Sequence, residues 1–402
     1  MSIRRIFVLD NPVQEYAWGS KNAIPDLLGE TGPRDRPVAE LWMGAHPKAP
    51  SRVGLGDRWL PLHELVAQAP EEILGTRAAE RFSGKFPFLF KVLAAEKPLS
   101  IQVHPDLDLA RKGFERENRE GIPLDAPQRN YKDPGHKPEL VCALGPFEAL
   151  KGFRKLEEIH ELLRRACPAT LAEDLRRFRA HMHEKGLSQL FRRILSLDGR
   201  EKEGVLAEAL RTARALAGTE PAFEWVTVLE RHYPGDRGIL APLFLNLIRL
   251  EPGHALYLPA GELHSYLRGI AVELMANSDN VLRGGLTAKH VDPDELLRLV
   301  RFEPSPAQWI TPRSVGPAEA VFDTPAEEFE LSVISTHTHW QRGGAAGKGP
   351  EILLCVSGEG LALDPDTGQE VGLRRGVSLL IPGSVRSYEI RGKVRLFRAH
   401  LP

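Results

Sequence analysis

The chain has 402 residues, of which 42% are hydrophobic and 27% are charged, so it is long enough for two or three domains with buried cores. Its 53 lysines and arginines nearly balance its 54 aspartates and glutamates. This balance excludes a global field that attracts nucleic acid or an anionic membrane, so we expect neither partner. An anionic ligand must therefore be recognised by a local cluster.

Residues 1–10 contain an apolar run too short for the core of a signal peptide. No stretch approaches the roughly 20 apolar residues that a membrane helix needs. The cysteines, Cys142, Cys167 and Cys355, are far apart in the sequence and have apolar neighbours, which is typical of small core residues. We therefore expect a cytoplasmic protein.

Strand and helix patterns alternate in blocks along the chain. Residues 86–105 contain two short apolar runs broken at Glu96-Lys97-Pro98, which predicts paired strands, and the same character returns over residues 240–274. Between these blocks, from residue 154 to about 217, the apolar residues follow a helical period. Leu187, Leu190, Phe191, Ile194 and Leu195 show it most clearly. We predict a helical insertion within a strand-built domain.

The last third of the chain begins with a helix signal and then returns to strands. Asp292 is a candidate N-cap, Pro293 fits the first helical position, and Glu295 occupies the capping-box place. A proline-rich stretch follows, and strand character resumes near residue 311. We predict a discontinuous first domain of residues 1–153 and 236–310, a helical insertion of residues 154–235, and a C-terminal domain of residues 311–402.

An internal repeat links the two strand-rich regions. Residues 250–259 resemble residues 373–382, since each has a glycine and a proline six positions apart, and each is followed by a Ser-Tyr pair. A turn glycine and a proline-ended strand that occur twice indicate two copies of one β-barrel unit. Where the first copy has His264 before Ser-Tyr, the second has Arg386. We therefore expect the second copy to lack a metal.

Gln102 and His104 are the first candidate metal ligands. On a strand they point to one face, because side chains alternate with a period of two. Taken alone, such a pair at a strand end satisfies itself or water more often than it binds metal. Glu139 begins a second apolar run, with a salt bridge to Lys137 as its alternative, and His264 follows a Gly-Pro strand, with a satisfied core histidine as its alternative.

Together these side chains supply two nitrogens and two oxygens, a set that suits zinc with positions left for water or substrate. Mixed ligation of this kind selects its metal loosely, so manganese, cobalt and iron stay open. Residues 272–287 form a second region of interest, where short polar residues surround Arg283 ahead of two glycines. We interpret this region as the floor of a pocket, against the alternative of a solvent-exposed turn.

Seven ordered stretches of the sequence resemble the type I mannose-6-phosphate isomerases. The stretches are residues 16–20 (YAWGS), 39–44 (AELWMG), 88–93 (FLFKVL), 99–106 (LSIQVHPD), 136–139 (HKPE), 258–264 (LPAGELH) and 278–287 (SDNVLRGGLT). The resemblance covers most of the chain. It implies a mainly β protein with an α-helical insertion and two cupin-type β-barrels, or jelly rolls, of which the second carries no metal.

By this resemblance one zinc ion per chain is bound by four side chains, namely Gln102, His104, Glu139 and His264. The matching catalytic candidates are Arg283, Lys137, Glu273, Asp279 and His136. The matching substrate and pocket-wall candidates are Ser100, Lys91, Lys289 and Trp18. The sequence does not choose a base among Glu273, Lys137 and His136.

The resemblance implies an aldose-ketose isomerase that converts mannose 6-phosphate into fructose 6-phosphate through an enediol, as a monomer. A metal polarises the substrate oxygens, a positioned base moves the proton, and Arg283 stabilises the enediolate. Two alternatives are a non-catalytic sugar-phosphate sensor, which would not require the metal quartet, and a cupin oxygenase, which more usually has three histidines, or two histidines with one carboxylate. A bifunctional enzyme that makes GDP-mannose would need a Gly-rich nucleotide motif, and none is present.

Overall fold

The computed structural model describes residues 3–32, 34–342 and 349–402. Within these ranges the protein is built mainly of β-sheet, with helices grouped in the middle of the chain. None of the described helices has both the length and the apolar character needed to cross a bilayer.

The chain up to residue 153 alternates strands with short helices. Its elements are β1 (Phe7–Asp10), β2 (Val13–Gln14), α1 (Ala23–Leu28), β3 (Glu40–Gly44), β4 (Arg52–Leu55), β5 (Arg58–Pro61), α2 (Leu62–Gln68), α3 (Pro70–Leu74), α4 (Thr76–Arg81), β6 (Phe88–Ala95), β7 (Ile101–Val103), α5 (Leu107–Arg119), β8 (Glu139–Ala143) and β9 (Phe147–Phe153). The residues of β6, β8 and β9 are buried along their whole length, as expected of strands covered on both faces.

The predicted helical insertion is helical throughout. It contains α6 (Leu156–Ala166), α7 (Ala172–Ala180), α8 (Glu184–Leu195), α9 (Gly199–Leu216) and α10 (Pro221–His232), and a 3-10 helix follows at Arg237–Leu243. The residues that carried the helical period, Leu187, Leu190, Phe191 and Ile194, are buried in one core. That core extends to Ile101 and Val103 of β7, so the helices pack against the strand that precedes His104.

The remaining elements return to strands. They are β10 (Leu245–Leu250), β11 (Ala255–Leu258), β12 (His264–Ala276), β13 (Leu282–Gly285), α11 (Pro293–Leu299), β14 (Arg313–Ser314), β15 (Glu319–Phe322), β16 (Glu330–Thr336), β17 (His339–Arg342), β18 (Glu351–Asp364), β19 (Gln369–Arg374), β20 (Ser378–Ile381) and β21 (Tyr388–His400). The predicted cap is present, since the Asp292 carboxylate accepts from the Glu295 amide at 3.0 Å and Pro293 begins α11.

The described strands form two sheets. The ten-stranded sheet runs β10-β9-β12-β6-β3-β2, with β7, β8, β11 and β13 attached beside β12. The prediction that the two runs of residues 86–105 pair with each other was wrong, because β6 and β7 each pair with β12 instead. Before Gly269, β12 pairs with β7 and β9, and after it with β6 and β8.

Gly269 allows this change of neighbours. Its φ is 122°, and a Cβ at this position would lie 2.4 Å from the Pro146 carbonyl oxygen, so only glycine fits. The bend lets one long strand contribute side chains to both halves of the ten-stranded sheet. His264 stands at its start, and Glu273 lies beyond the bend.

The eleven-stranded sheet runs β14-β15-β16-β21-β18-β20-β1-β4-β5, with β17 and β19 at its sides. Its last three members come from the N-terminal part of the chain, and Phe7 of β1 pairs with Leu380 of β20. This arrangement differs from the expected division, which assigned all of residues 1–153 to the first domain. An open strand edge exposes backbone groups that need hydrogen-bonding partners. At the edge of β20, β1 from the N-terminal part of the chain provides these partners.

Candidate metal centre

Three buried side chains converge at the ends of three strands of the ten-stranded sheet. His104 directly follows β7, Glu139 begins β8, and His264 begins β12. Their candidate ligand atoms all lie within 4.8 Å of one another. Glu139 stands between the imidazoles, with Oε1 at 3.3 Å from His104 Nε2 and Oε2 at 3.5 Å from His264 Nε2.

Backbone carbonyls fix the tautomer of both histidines. His104 Nδ1 lies 2.7 Å from the carbonyl oxygen of Asn280, and His264 Nδ1 lies 3.0 Å from the carbonyl oxygen of Glu262. A carbonyl only accepts, so each Nδ1 carries the proton and donates it. Each Nε2 is then left with a lone pair directed at Glu139.

This arrangement brings acceptors together without a hydrogen between them. His104 Nε2 is buried and has no hydrogen-bond partner among the described residues, although the Glu139 carboxylate is 3.3 Å away. Burial lowers the pKa of His104 to about 4, which favours the neutral ring. Buried lone pairs that face one another require a cation, so the three side chains fit a divalent metal.

Glu139 is held in its charged form by its neighbours. Burial opposes the charge, but the Lys137 ammonium holds the pKa of Glu139 well below the usual range of a glutamate. Lys137 Nζ lies 3.1 Å from Glu139 Oε1. A charged carboxylate is the form that binds a metal ion.

Gln102 lies beside this cluster on β7. In the antiparallel register Gln102 is opposite His264 of β12 on one side and opposite Arg283 of β13 on the other. Directly opposed residues have Cβ atoms about 5 Å apart, so Gln102 stands between His264 and Arg283 in the sheet, and its Nε2 donates to Ser100 Oγ at 3.4 Å. Gln102 also faces the cavity described next.

A cavity of about 870 Å³ lies next to the cluster: Gln102 and Lys137 line it, whereas His104, Glu139 and His264 are outside its lining. Of the residues predicted from the sequence, its wall contains Trp18, Lys91, Ser100, Gln102, Lys137, Asp279, Arg283 and Lys289. Among the described residues no carboxylate lies within ion-pair distance of Arg283. The guanidinium is therefore available to an anionic ligand, as the pocket-floor interpretation requires.

Several cationic side chains lie near Lys289 at the cavity wall. Burial lowers the pKa of Lys289, and the nearby charges of Arg283, Lys132 and Lys48 lower it further. Lys132 and Lys48, which the sequence analysis did not select, line the same cavity. Such a concentration of positive charge suits a phosphate dianion.

Asp279 is engaged by two of its neighbours. Its carboxylate lies 2.8 Å from Lys48 Nζ and 3.6 Å from His46 Nε2. Burial opposes its charge, but hydrogen bonds from His46 and Lys48 lower the pKa of Asp279 below its ordinary value. Asp279 therefore orients a lysine at the cavity wall and stays ionised.

Lys91 belongs to a buried ionic network. Its Nζ lies 3.2 Å from Glu273 Oε2 and 3.7 Å from Glu40 Oε1, and Trp42 Nε1 donates to the other Glu40 oxygen at 2.6 Å. Burial alone would lower the pKa of Lys91, but Glu40 and Glu273 raise it above its ordinary value. Sequence reasoning missed Glu40 and Trp42, although their spacing of two on one strand is the signal that identified Gln102 and His104.

Glu273 lies behind the cavity wall and outside its lining. The hydroxyl of Tyr266 donates to Glu273 Oε1 at 2.8 Å and lies 3.5 Å from Glu139 Oε2. Burial raises the pKa of Glu273, and Lys91 opposes this change. Glu273 therefore touches the metal cluster through Tyr266 and supports Lys91, which faces the cavity.

His136 does not fit the catalytic role that the resemblance suggested. Its Nε2 lies 2.7 Å from Glu328 Oε1, on the connection between β15 and β16 of the eleven-stranded sheet, and His136 is absent from the cavity lining. The side chain at the adjacent position, Lys137, points the other way and reaches Glu139. Neighbouring residues of an extended segment face opposite sides, so only one of the two could enter the cavity.

Comparison with known proteins gives consistent relatives over nearly the whole chain. A family model described as phosphomannose isomerase type I, catalytic domain, matches residues 6–156. A mannose-6-phosphate isomerase of Salmonella typhimurium is 42% identical over 394 residues, which cover 98% of each chain. The human mannose-6-phosphate isomerase is 36% identical over 413 residues, covering 95% of this chain and 94% of the human one.

Solved structures agree with these relatives. A zinc-bound mannose 6-phosphate isomerase in its holo form is similar with a TM-score of 0.90 and 40% identity, covering 98% of this chain and 99% of that chain. A mutant phosphomannose isomerase from Salmonella typhimurium has a TM-score of 0.91 and 39% identity over the same shares.

Proposed function

The chain belongs to the type I mannose-6-phosphate isomerases, and we propose that the cavity beside His104, Glu139 and His264 is the place where it interconverts D-mannose 6-phosphate and D-fructose 6-phosphate. Zinc is its cofactor. The observation that carries the proposed site is the pair of imidazole lone pairs directed at one buried carboxylate, beside a cavity whose lining includes Gln102 and Lys137 next to this cluster.

The proposed ligands are Gln102, His104, Glu139 and His264, which would hold one zinc ion per chain and leave positions toward the cavity. Zinc would supply Lewis-acid polarisation of the sugar oxygens on C1 and C2. Manganese, cobalt or iron in the same nitrogen and oxygen set remains compatible with the proposal. The absence of thiolates agrees with this, because the described cysteines are buried elsewhere.

Lys137 is the proposed proton carrier: its ammonium would first give up a proton, the neutral amine would accept the proton from one sugar carbon, and the ammonium so formed would return it to the other. Its Nζ lies at the junction of the cavity and the ligand set, 3.1 Å from Glu139, whereas Glu273 is screened by Tyr266 and His136 faces Glu328. Isomerisation moves one proton between C1 and C2 through an enediol, so one positioned group on one face of the sugar is sufficient. Glu273 serves this step indirectly by holding Lys91 in the wall.

Arg283 is proposed to stabilise the enediolate oxygen. It stands opposite Gln102 in the strand register and has no carboxylate partner among the described residues, so its charge and planar donors are free for the reacting end of the sugar. The preformed position of the guanidinium lowers the cost of reorganisation when negative charge develops.

The phosphate is proposed to bind the cationic part of the wall, with Lys289 and Ser100 as the residues selected from the sequence and Lys132 and Lys48 beside them. Lys91 is a weaker anchor, because two carboxylates already neutralise it. Trp18, which stacks on Tyr16 with ring centroids 5.8 Å apart, also lines the cavity. Binding energy from the phosphate would orient the sugar above the ligand set.

For the architecture we propose two cupin-type barrels, with the helical segment of residues 154–235 inserted in the first and with no metal in the second. The repeated strand pattern and the arginine at the position of His264 support this assignment. We also propose a cytoplasmic monomer, which agrees with three free, buried cysteines, since a reducing compartment keeps thiols unpaired. Sedimentation of the purified protein tests the monomer.

A coupled assay tests the proposed function. Fructose 6-phosphate formed from mannose 6-phosphate is measured before chelation, after chelation, and after zinc is returned. We expect activity to disappear with the metal and to return with zinc. A protein that binds mannose 6-phosphate without turnover would be the sugar-phosphate sensor, and the relatives favour neither that sensor nor a cupin oxygenase.

A further inference from the structure

Asn280 lies in the turn between β12 and β13 and is completely buried. Its backbone carbonyl accepts the hydrogen bond from His104 Nδ1 at 2.7 Å, across 176 positions of sequence. It does not line the cavity and supplies no ligand atom. Its contact with His104 therefore concerns the geometry of the metal centre rather than the substrate.

The side chain of Asn280 is fully hydrogen-bonded to the loop that leads to Glu139. Nδ2 donates to the carbonyl oxygens of Asp133 at 2.7 Å and Gly135 at 2.8 Å, and Oδ1 accepts from the amide of Lys132 at 2.7 Å. These bonds use both donors and the acceptor of a planar amide, so the side chain has one orientation. The loop it holds continues within four residues to Glu139.

One residue thus connects two members of the ligand set. Its carbonyl holds the ring of His104, and its amide holds the loop before Glu139. We propose that Asn280 is a positioning residue of the zinc centre, which sets the tautomer of His104 and fixes that ring relative to Glu139. This inference rests on the proposed function only in taking His104 and Glu139 as ligands.

His264 shows why this residue is special. The carbonyl that orients His264 belongs to Glu262, two positions earlier in the same turn, so local backbone geometry is enough. The orientation of His104 depends instead on a remote segment. A disturbed Asn280 would therefore loosen His104 and the loop before Glu139 and leave His264 in place, because outer partners of this kind orient metal-bound histidines.

The test compares Asn280→Ala with Asn277→Ala. Asn277 is a matched control, since it lies three positions earlier and its amide also donates to two backbone carbonyls. These are the carbonyls of Phe86 at 2.7 Å and Phe88 at 3.2 Å, and neither belongs to the loop of residues 132–138 that leads to Glu139. Zinc affinity is measured by competition with a chromogenic chelator. We expect Asn280→Ala to bind zinc about 10- to 100-fold more weakly, because the carbonyl that orients His104 remains but its segment loses the side-chain hydrogen bonds that hold it, and Asn277→Ala to stay within about threefold of the parent.

Two further readouts separate positioning from general stability. Cobalt(II) in place of zinc gives a visible spectrum that reports ligand geometry, and it should change in Asn280→Ala but not in Asn277→Ala, even when both apoproteins unfold at similar temperatures. If Asn280→Ala does not fold, nitrogen-15 NMR of the histidine rings in the parent apoprotein decides instead. A proton on Nδ1 of His104 supports the inference, and a proton on Nε2 overturns it.

The outcomes also separate this inference from the proposed function. If Asn280→Ala retains zinc as Asn277→Ala does, with an unchanged cobalt spectrum, Asn280 is an ordinary core residue and the inference is wrong. His104→Ala is the arm that tests the ligand set itself. If His104→Ala loses zinc and Asn280→Ala retains it fully, only the positioning role of Asn280 is wrong. If His104→Ala retains zinc, the proposed metal site is wrong.

Discussion

Each of the two sheets contains a buried glutamate and a buried tyrosine, and the two glutamates occupy corresponding positions in the strand register. Glu139 begins β8 opposite Leu258, the residue before Pro259, and Glu351 begins β18 opposite Ile381, the residue before Pro382. In the second sheet the Tyr388 hydroxyl donates to Glu351 at 2.6 Å, and in the first Tyr266 lies 3.5 Å from Glu139. The repeat seen in the sequence is thus also a repeat of one polar site.

The two sites differ in how the glutamate is neutralised. Glu351 has Arg342 Nη2 at 2.6 Å and Arg398 Nη1 at 3.6 Å, whereas Glu139 has one lysine and two imidazole lone pairs. Guanidinium groups are permanently charged and donate only, so they cannot coordinate a metal. A buried carboxylate needs a cation, and the comparison indicates that one copy obtains it from arginines while the other leaves the place for zinc.

The largest expected effect distinguishes alanine substitutions of His264 and Arg386, which occupy corresponding positions in the sequence repeat. His264→Ala should lose tightly bound zinc and lower turnover by more than the roughly 10²- to 10³-fold of one lost transition-state donor, because every metal contribution is lost together. Arg386→Ala, at an exposed position, should keep about one zinc per chain and parental turnover. Metal analysis and initial rates check both variants. Full zinc and turnover in His264→Ala would refute the ligand assignment.

Arg398→Met tests whether arginines neutralise the buried Glu351 in the eleven-stranded sheet. It leaves Glu351 and Glu319 short of a buried partner, so we expect a loss of about 3–5 kcal/mol in the free energy of unfolding with zinc content unchanged. Arg391→Met, an exposed arginine on the same strand paired with Glu389, should change stability by less than about 0.5 kcal/mol. Denaturant titrations measure both. Loss of zinc in Arg398→Met would show that the two sites are not independent.

Arg283→Ala sharpens the comparison from the first sheet, since this arginine, unlike Arg398, has no carboxylate partner among the described residues. We expect turnover to fall about 10²- to 10³-fold with normal zinc content and a little-changed Michaelis constant. A raised Michaelis constant with normal turnover would assign Arg283 to the phosphate instead. Partial rescue by Arg283→Lys would favour charge, and no rescue would favour the planar geometry of the guanidinium.

The smallest expected effect, on the free energy of unfolding, concerns the contact between His136 and Glu328. This contact joins the loop before Glu139 to the eleven-stranded sheet. The hydrogen bond that His136 donates to Glu328 raises the pKa of His136, aided by Glu327 and Asp106, although burial opposes the change. Burial opposes the charge of Glu328 as well, but His136 lowers its pKa. The pair is therefore fully stabilising between about pH 4.3 and 6.5, the ordinary values of the two groups.

Above that window the contribution is lost as the pH rises through the raised pKa of His136. His136→Gln should be less stable than the parent at pH 6, by less than about 1 kcal/mol for this partly exposed pair, and the difference should be smaller at about pH 8. Unfolding midpoints at the two pH values measure it. A loss of turnover at full zinc content would instead return His136 to the catalytic residues.

The sequence alone determined the coarse fold and the family. Helical periods in residues 154–217, the cap at Asp292 and the spacing of two between Gln102 and His104 are local properties, set by backbone geometry over a few residues. The same local logic separates His136 from Lys137, and the sequence could have revealed Glu40 and Trp42. These features survive because tertiary contacts reinforce the local preference.

Only the tertiary structure decided which distant segments meet. The carbonyl that fixes His104 comes from Asn280, the carboxylates around Lys91 come from β3 and β12, and the edge of β20 is completed by β1. No local pattern specifies such pairs, because long-range partners are selected by the packing of the whole chain and by the need of every buried polar group for a partner. The sequence therefore determined the candidate ligands as residue types, and the fold determined their protonation and direction.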